Sequence, residues 1–193
     1  MGHPTRLHGP QKSIPAAYYR GGTSRAIMFH QKDLPASREE WPPIFLSILG
    51  SPDPNGRQLD GMGGGISSLS KICVVGPSSH KDADVDYTFA AIGVKDTEVD
   101  FSSNCGNMTS AIGPFAVDSG MVNVPVTSEE QEVTVRIHNT NTGKLIDSTF
   151  PVAYGEAVAD GPFAIDGVSG TASKIKLAFL DPAYVFPPIP SSS

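Results

Sequence analysis

Cysteine is nearly missing from this sequence. Only Cys73 and Cys105 occur in 193 residues, and they form no CxxC pair. A secreted domain stapled by disulfides normally carries more, so the composition points to a reducing compartment. No apolar run approaches the roughly 20 residues that a membrane-spanning helix needs, which argues against a membrane protein. Blocks of Lys and Arg are also absent, and the formal net charge is −6 with both signs mixed along the chain. That excludes a phosphate-backbone partner such as DNA or RNA. A small anionic metabolite stays possible where a few cations and amides converge.

Metal chemistry finds little support. His3, His8, His30, His80 and His138 stand apart, none at ligand spacing with another His, Cys or carboxylate. Asp82, Asp84 and Asp86 alternate, but without the glycine and distal glutamate of a calcium loop they read as the solvent face of a strand. No metal is expected. The opening MGHPTRLHGPQK lacks the apolar core of a signal peptide. It also lacks an amphipathic Arg/Ser helix, so a cytoplasmic location is expected and a mitochondrial one stays open.

Glycine and proline are abundant instead, 20 and 17, and spread along the chain. That pattern suits many short strands joined by tight turns. Residues 1–12 read as a flexible N-terminus and 13–183 as one domain, with 184–193 as a Pro/Ser tail. Strands are expected at 14–19 and 25–30, joined by a turn with exposed amides and hydroxyls. Ser37 is placed to cap a helix running to Leu49, with Gly50 past its end and Pro42 and Pro43 in its first turn. Residues 51–65 read as a loop, 72–75 and 85–94 as strands. A helix capped by Asn104 begins near Cys105 and stops at Gly120, with a kink or break at Gly113-Pro114. Residues 132–137 alternate cleanly and pair through a turn at 138–144 with 145–153. A Gly-rich loop over 155–170 and a last strand within 174–180 complete an α+β domain, a mostly antiparallel sheet wrapped on one central helix.

Two residues could carry chemistry. Cys105 sits at the expected start of a helix, where unpaired N–H groups and the helix dipole favour a thiolate and can bind a carboxylate. Gly106 beside it lets a ligand approach the backbone. The plainer reading is a small residue buried at a helix start. Cys73, inside the apolar run 72–75, reads as core. Lys71 stands at the entrance to that run, where apolar surroundings turn a lysine into a base; a lysine whose stem covers a strand end is the plainer reading. Gly63, Gly64 and Gly65 fail the phosphate-loop pattern and read as a turn whose amides can face an anion. Arg20 and Arg25 flank the turn as candidate carboxylate clamps or as surface arginines.

Four segments in order then resemble one family. They are Tyr19-Arg20-Gly21-Gly22-Thr23-Ser24-Arg25; the stretch from Leu59 to Lys71 with Gly63-Gly64-Gly65, Ser67 and Ser68; Asn104-Cys105-Gly106-Asn107 with Gly113-Pro114-Phe115-Ala116; and the block from Val135 to Lys144. They look like the signature blocks of the 2-methylaconitate cis–trans isomerase and methylitaconate delta-isomerase family. The resemblance implies a diaminopimelate-epimerase-like fold of two domains, each a sheet curled around a helix, with the active site between them. It implies isomerisation of small unsaturated di- or tricarboxylates with neither metal nor cofactor. It sets the catalytic pair on Lys71 and Cys105. As substrate-facing residues it suggests Arg20, Gly21, Gly22, Thr23, Ser24, Arg25, Gly63, Gly64, Gly65, Ser67, Ser68, Asn104, Gly106, Asn107 and Met108. Only the family's amino-terminal domain is represented and its second domain is absent. The expected function is therefore isomerase, against a non-catalytic binding domain or a homodimer that rebuilds the cleft.

Overall fold

A computed structural model describes residues 13–180. The N-terminal stretch 1–12 and the expected tail at 184–193 lie outside the described residues. The strands are β1 (Ala17–Gly21), β2 (Ser24–His30), β3 (Lys71–Pro77), β4 (Val85–Ile92), β5 (Val99–Asp100), β6 (Gln131–Asn139), β7 (Lys144–Ala153), β8 (Glu156–Ala157) and β9 (Lys176–Phe179). The helices are α1 (Trp41–Leu49) and α2 (Gly106–Asp118). One sheet runs β1-β2-β3-β4-β6-β7-β8, with β5 on β4 and β9 on β7. Only the β2–β3 and β4–β6 pairs are parallel. The sheet curls around α2, as the sequence led us to expect.

Why β2 and β3 are unbroken apolar runs follows from their two faces. Successive side chains of a strand point to opposite sides. Ala26, Met28, Cys73 and Val75 pack toward α2. Ile27, Phe29, Ile72 and Val74 pack toward Trp41, Phe45 and Leu49 of α1. Those three α1 residues recur every four positions and make one helix face. Pro42 and Pro43 occupy its first turn, where no amide hydrogen is needed. Gly50 ends α1 with φ 75°, a left-handed cap. Ser37 does not cap α1: a short 3-10 turn, Arg38–Glu40, intervenes and Ser37 makes no capping bond.

Helix α2 runs through Pro114 as one continuous element, without the break that Gly113-Pro114 led us to expect. The glycine has a packing reason. A Cβ on Gly113 would lie 2.6 Å from the Phe150 ring and 2.8 Å from Ser148 Oγ, both buried on β7. Expectation also fails for Asp86, which is not a solvent-facing residue. His138 Nδ1 lies 2.9 Å from it, and Ser78 and Ser79 donate at 3.0 and 2.6 Å. Asp84 takes the Arg136 amide at 2.7 Å, while Asp82 lies in a turn before β4.

Two outcomes follow. Gly113→Ala, which would add helix propensity elsewhere, should lower the melting temperature here, because overpacking of about 1–3 kcal/mol outweighs a gain of about 1; a raised melting temperature would contradict the packing. Burial pushes the Asp86 carboxyl up, but the Ser79, His138 and Ser78 hydrogen bonds win and hold it below its ordinary range. Its contribution is complete above the ordinary carboxyl value of about 4 and is lost as pH falls through the lower folded value. In acid denaturation, Asp86→Asn should therefore flatten the stability loss below about pH 4; an unchanged acid limb would refute this.

Candidate active site

Lys71 opens β3, two residues before Cys73. The period of two turns its side chain to the α2 side of the sheet, as it does for Cys73. Continuing the β2–β3 register by one residue sets Lys71 beside Ala26, one strand spacing of about 4.8 Å away. Lys71 is half-buried, and its ammonium donates to the Ser67 carbonyl. That carbonyl belongs to the 3-10 turn Ser67–Leu69, which brings Ser67 and Ser68 to the foot of the strand.

Cys105 approaches from α2. It is the N-cap residue, extended at φ −109° and ψ 103°, with no capping bond from its own side chain. Asn104 was the expected cap, but its Oδ1 instead accepts from Thr109 Oγ1 at 3.2 Å and Asn139 Nδ2 at 3.1 Å. Thr109 also donates its amide to the Cys105 carbonyl at 2.9 Å, so the 104–105 peptide is fixed from within. A Cβ on Gly106 would meet nothing within 4 Å, which leaves the first turn of α2 open. Cys73 links the two sides of the site. It is fully buried and, as expected, core. Burial pushes its thiol up, Tyr87 hydrogen bonding works against this, Cys105 adds to the rise and Lys71 opposes it. Cys105 packs against the same core cluster that holds Cys73.

The hairpin turn between β1 and β2 closes a third side. Asn107 Nδ2 donates to Thr23 Oγ1 at 2.9 Å and reaches the buried Ser24 Oγ at 3.5 Å. Gly21 allows this contact, since a Cβ there would lie 2.2 Å from the Asn107 carbonyl oxygen. Gly22 takes φ 53° against the Asn107 side chain, a conformation that favours glycine.

Met108 is fully buried and packs in the core. Alternation along β2 puts Arg25 on the face opposite Ser24 and Ala26, with Arg20 as its cross-strand partner. Arg20, on an edge strand, still borders a 470 Å³ hollow with Gly22, Gly106 and Asn107, whereas Arg25 does not line it. The glycine turn is also largely committed: the Gly63 amide donates to the Leu49 carbonyl at 3.2 Å and the Gly65 amide to Gln58 Oε1 at 2.9 Å. Gly64 packs on Leu69.

Sequence reasoning missed two residues that build this site. Gln58 sat unremarked in a loop, and Asn139 was read only as part of a turn. The Asn-Thr-Asn-Thr run was the available signal, because such side chains substitute for backbone partners. Asn139 Oδ1 accepts from the amides of Asn141 and Thr142, and Asn141 bonds both Phe89 and Phe101. Among the described residues, no three His, Cys, Asp or Glu side chains gather as a metal site. No helix there is long and apolar enough to cross a membrane. With iodoacetamide on the folded protein, Cys105 should alkylate at least about a hundredfold faster than buried Cys73, which reacts only through opening; equal rates would contradict this burial pattern.

The chain is similar to several known proteins. The chain is 42% identical over 180 residues to a 2-methyl-aconitate isomerase of Cupriavidus necator, covering 91% of the chain and 46% of that protein. It is 44% identical over 173 residues to a 3-methylitaconate isomerase of Eubacterium barkeri, covering 90% and 44%. A 4-oxalomesaconate tautomerase of Pseudomonas putida is 40% identical over 173 residues, covering 90% and 46%. A crystal structure of methylitaconate-delta-isomerase superposes with a TM-score of 0.77 at 45% identity, covering 82% of this chain and 40% of that one. The chain thus spans less than half the length of each of these proteins. The PrpF protein family model matches residues 11–186, most of the chain, which belongs to that family.

Proposed function

We propose that this chain supplies the Lys71 and Cys105 half of an isomerase acting on small unsaturated di- or tricarboxylates. The observation that carries the reading is that Cys105 caps α2 beside an open first helical turn, while Lys71, on the face of β3 that packs toward α2, has its ammonium on the Ser67 carbonyl. The related isomerases act on acids of this kind by their names, which supports the substrate class.

In this mechanism a substrate carboxylate faces the amides at the start of α2, where the helix dipole favours an anion. One of the pair removes an allylic proton, breaking a C–H bond and leaving a carbanion delocalised over the conjugated carboxylate. The α2 amides stabilise the charge as it develops. Rotation followed by return of the proton gives the cis–trans isomer; protonation at another carbon by the other group gives the double-bond isomer. The chemistry is a proton relay and calls on no external electrons. Two unpaired cysteines, one needed as a thiol, fit a reducing cytoplasm.

A second reading rests on the matched length. The relatives are more than twice as long as the stretch they share with this chain, so a second copy could supply the opposing wall as a homodimer. A binding domain without turnover is the remaining form of this reading.

Lys71→Ala and Cys105→Ser should each lower isomerisation of aconitate-type acids at least about a hundredfold, followed by NMR, with melting temperatures near wild type. Wild-type turnover in either folded variant refutes the role of that residue. Light scattering on the same samples separates the assemblies: an active dimer supports the shared cleft, and an inactive monomer supports binding alone.

A further inference from the structure

Gln58 is an uncommon residue in an uncommon conformation. It is 1% exposed and takes φ 53°, although it is not a glycine. A left-handed backbone costs a residue with a side chain of its own about 1–2 kcal/mol, and such strain persists only where surrounding structure imposes it. Here the surroundings do so on every side. The Gln58 amide donates to Asp53 Oδ2 at 2.6 Å, and its carbonyl accepts from Gly61 at 3.2 Å. Its Nε2 donates to Ser51 Oγ at 2.8 Å. Its Oε1 accepts from the Gly65 amide at 2.9 Å and lies 2.7 Å from Ser70 Oγ. Gly63 must be a glycine to admit that oxygen, since a Cβ would lie 2.2 Å from it.

The two acceptor contacts of Oε1 matter most. Gly65 and Ser70 are the two ends of the segment that carries the Ser67–Leu69 turn. Ser70 is also within 2.8 Å of the Ile66 carbonyl. One buried amide oxygen therefore fastens both ends of the short arch whose Ser67 carbonyl receives the Lys71 ammonium. Ser70 is the peptide neighbour of Lys71, and its own carbonyl accepts from the Ile92 amide at 3.0 Å. The arch otherwise borders solvent: Ile66 and Ser67 are exposed. Without its tie it would have little to hold its shape.

We propose that Gln58 is the positioning residue for Lys71: its side-chain oxygen clamps Gly65 to Ser70 and so fixes the carbonyl that holds the Lys71 ammonium at the mouth of the site. This deepens the proposed function and rests on Lys71 being a reacting group. It gives the strained, buried glutamine a purpose that packing alone does not supply, because an apolar residue would fill the same space without bonding Gly65 and Ser70.

The test uses the full chain and two variants. Gln58→Met keeps the length and removes both acceptor contacts; Ser70→Ala leaves the Gly65 contact and removes the hydroxyl next to Lys71, with its contacts to Gln58 and the Ile66 carbonyl. Lys71 is labelled with an acylating reagent at one fixed pH and read by peptide mass spectrometry, with Lys81 and Lys176 as internal references. Loss of the tie loosens the arch and frees the amine from the Ser67 carbonyl, so Lys71 should label about tenfold faster. The reference lysines should stay within twofold, and isomerisation should fall in the same variants. A Lys71 labelling rate that does not change in a folded variant overturns the proposal; if Gln58→Met fails to fold, Ser70→Ala decides. Should Lys71→Ala retain full turnover, the catalytic reading fails, while the labelling shift still decides whether Gln58 positions the amine.

Discussion

Helix α2 is enclosed along most of its length, and the candidate site lies at its exposed first turn. From Met108 to Val117 every residue is buried except Ser110. Small residues make that enclosure possible: Ala111, Gly113 and Ala116 let β7 and its neighbours come close. Its exposed first turn presents unpaired amides at the edge of an apolar wall. Cys105 lies at that turn, and because Cys73 faces α2, Lys71 two residues earlier falls on the same face of β3.

Strict alternation and turn chemistry carried most of the fold into view from sequence. The hairpin of β6 and β7 was legible because one face is wet and polar residues mark it. Strands β2 and β3 were legible as apolar runs, though their two faces could not be assigned, since a run buried on both sides has no periodic signal. Helix boundaries slipped by a few residues where 3-10 turns intervene, as before Trp41.

The proposed pair was legible only through ordered blocks of residues; neither Lys71 nor Cys105 stands out by composition. What the blocks could not convey was direction. Met108 and the two arginines lie inside matching segments, yet helix phase turns Met108 into the core and strand register turns Arg25 away from α2. Gln58 was invisible for a different reason. Its proposed role depends on a backbone angle and on contacts from three to twelve positions away, none of which leaves a spacing pattern.

Those limits also define where the account is exposed. This chain is 42 to 45% identical to these relatives and matches less than half of each of them. The chemistry therefore rests on two side chains being neighbours in this half. A short amine-to-thiol cross-linker anchored at Cys105, followed by peptide mapping, measures that directly. The account predicts that Lys71 is the lysine captured in the folded protein and that the link is lost on unfolding. Capture of other lysines with Lys71 untouched would contradict it.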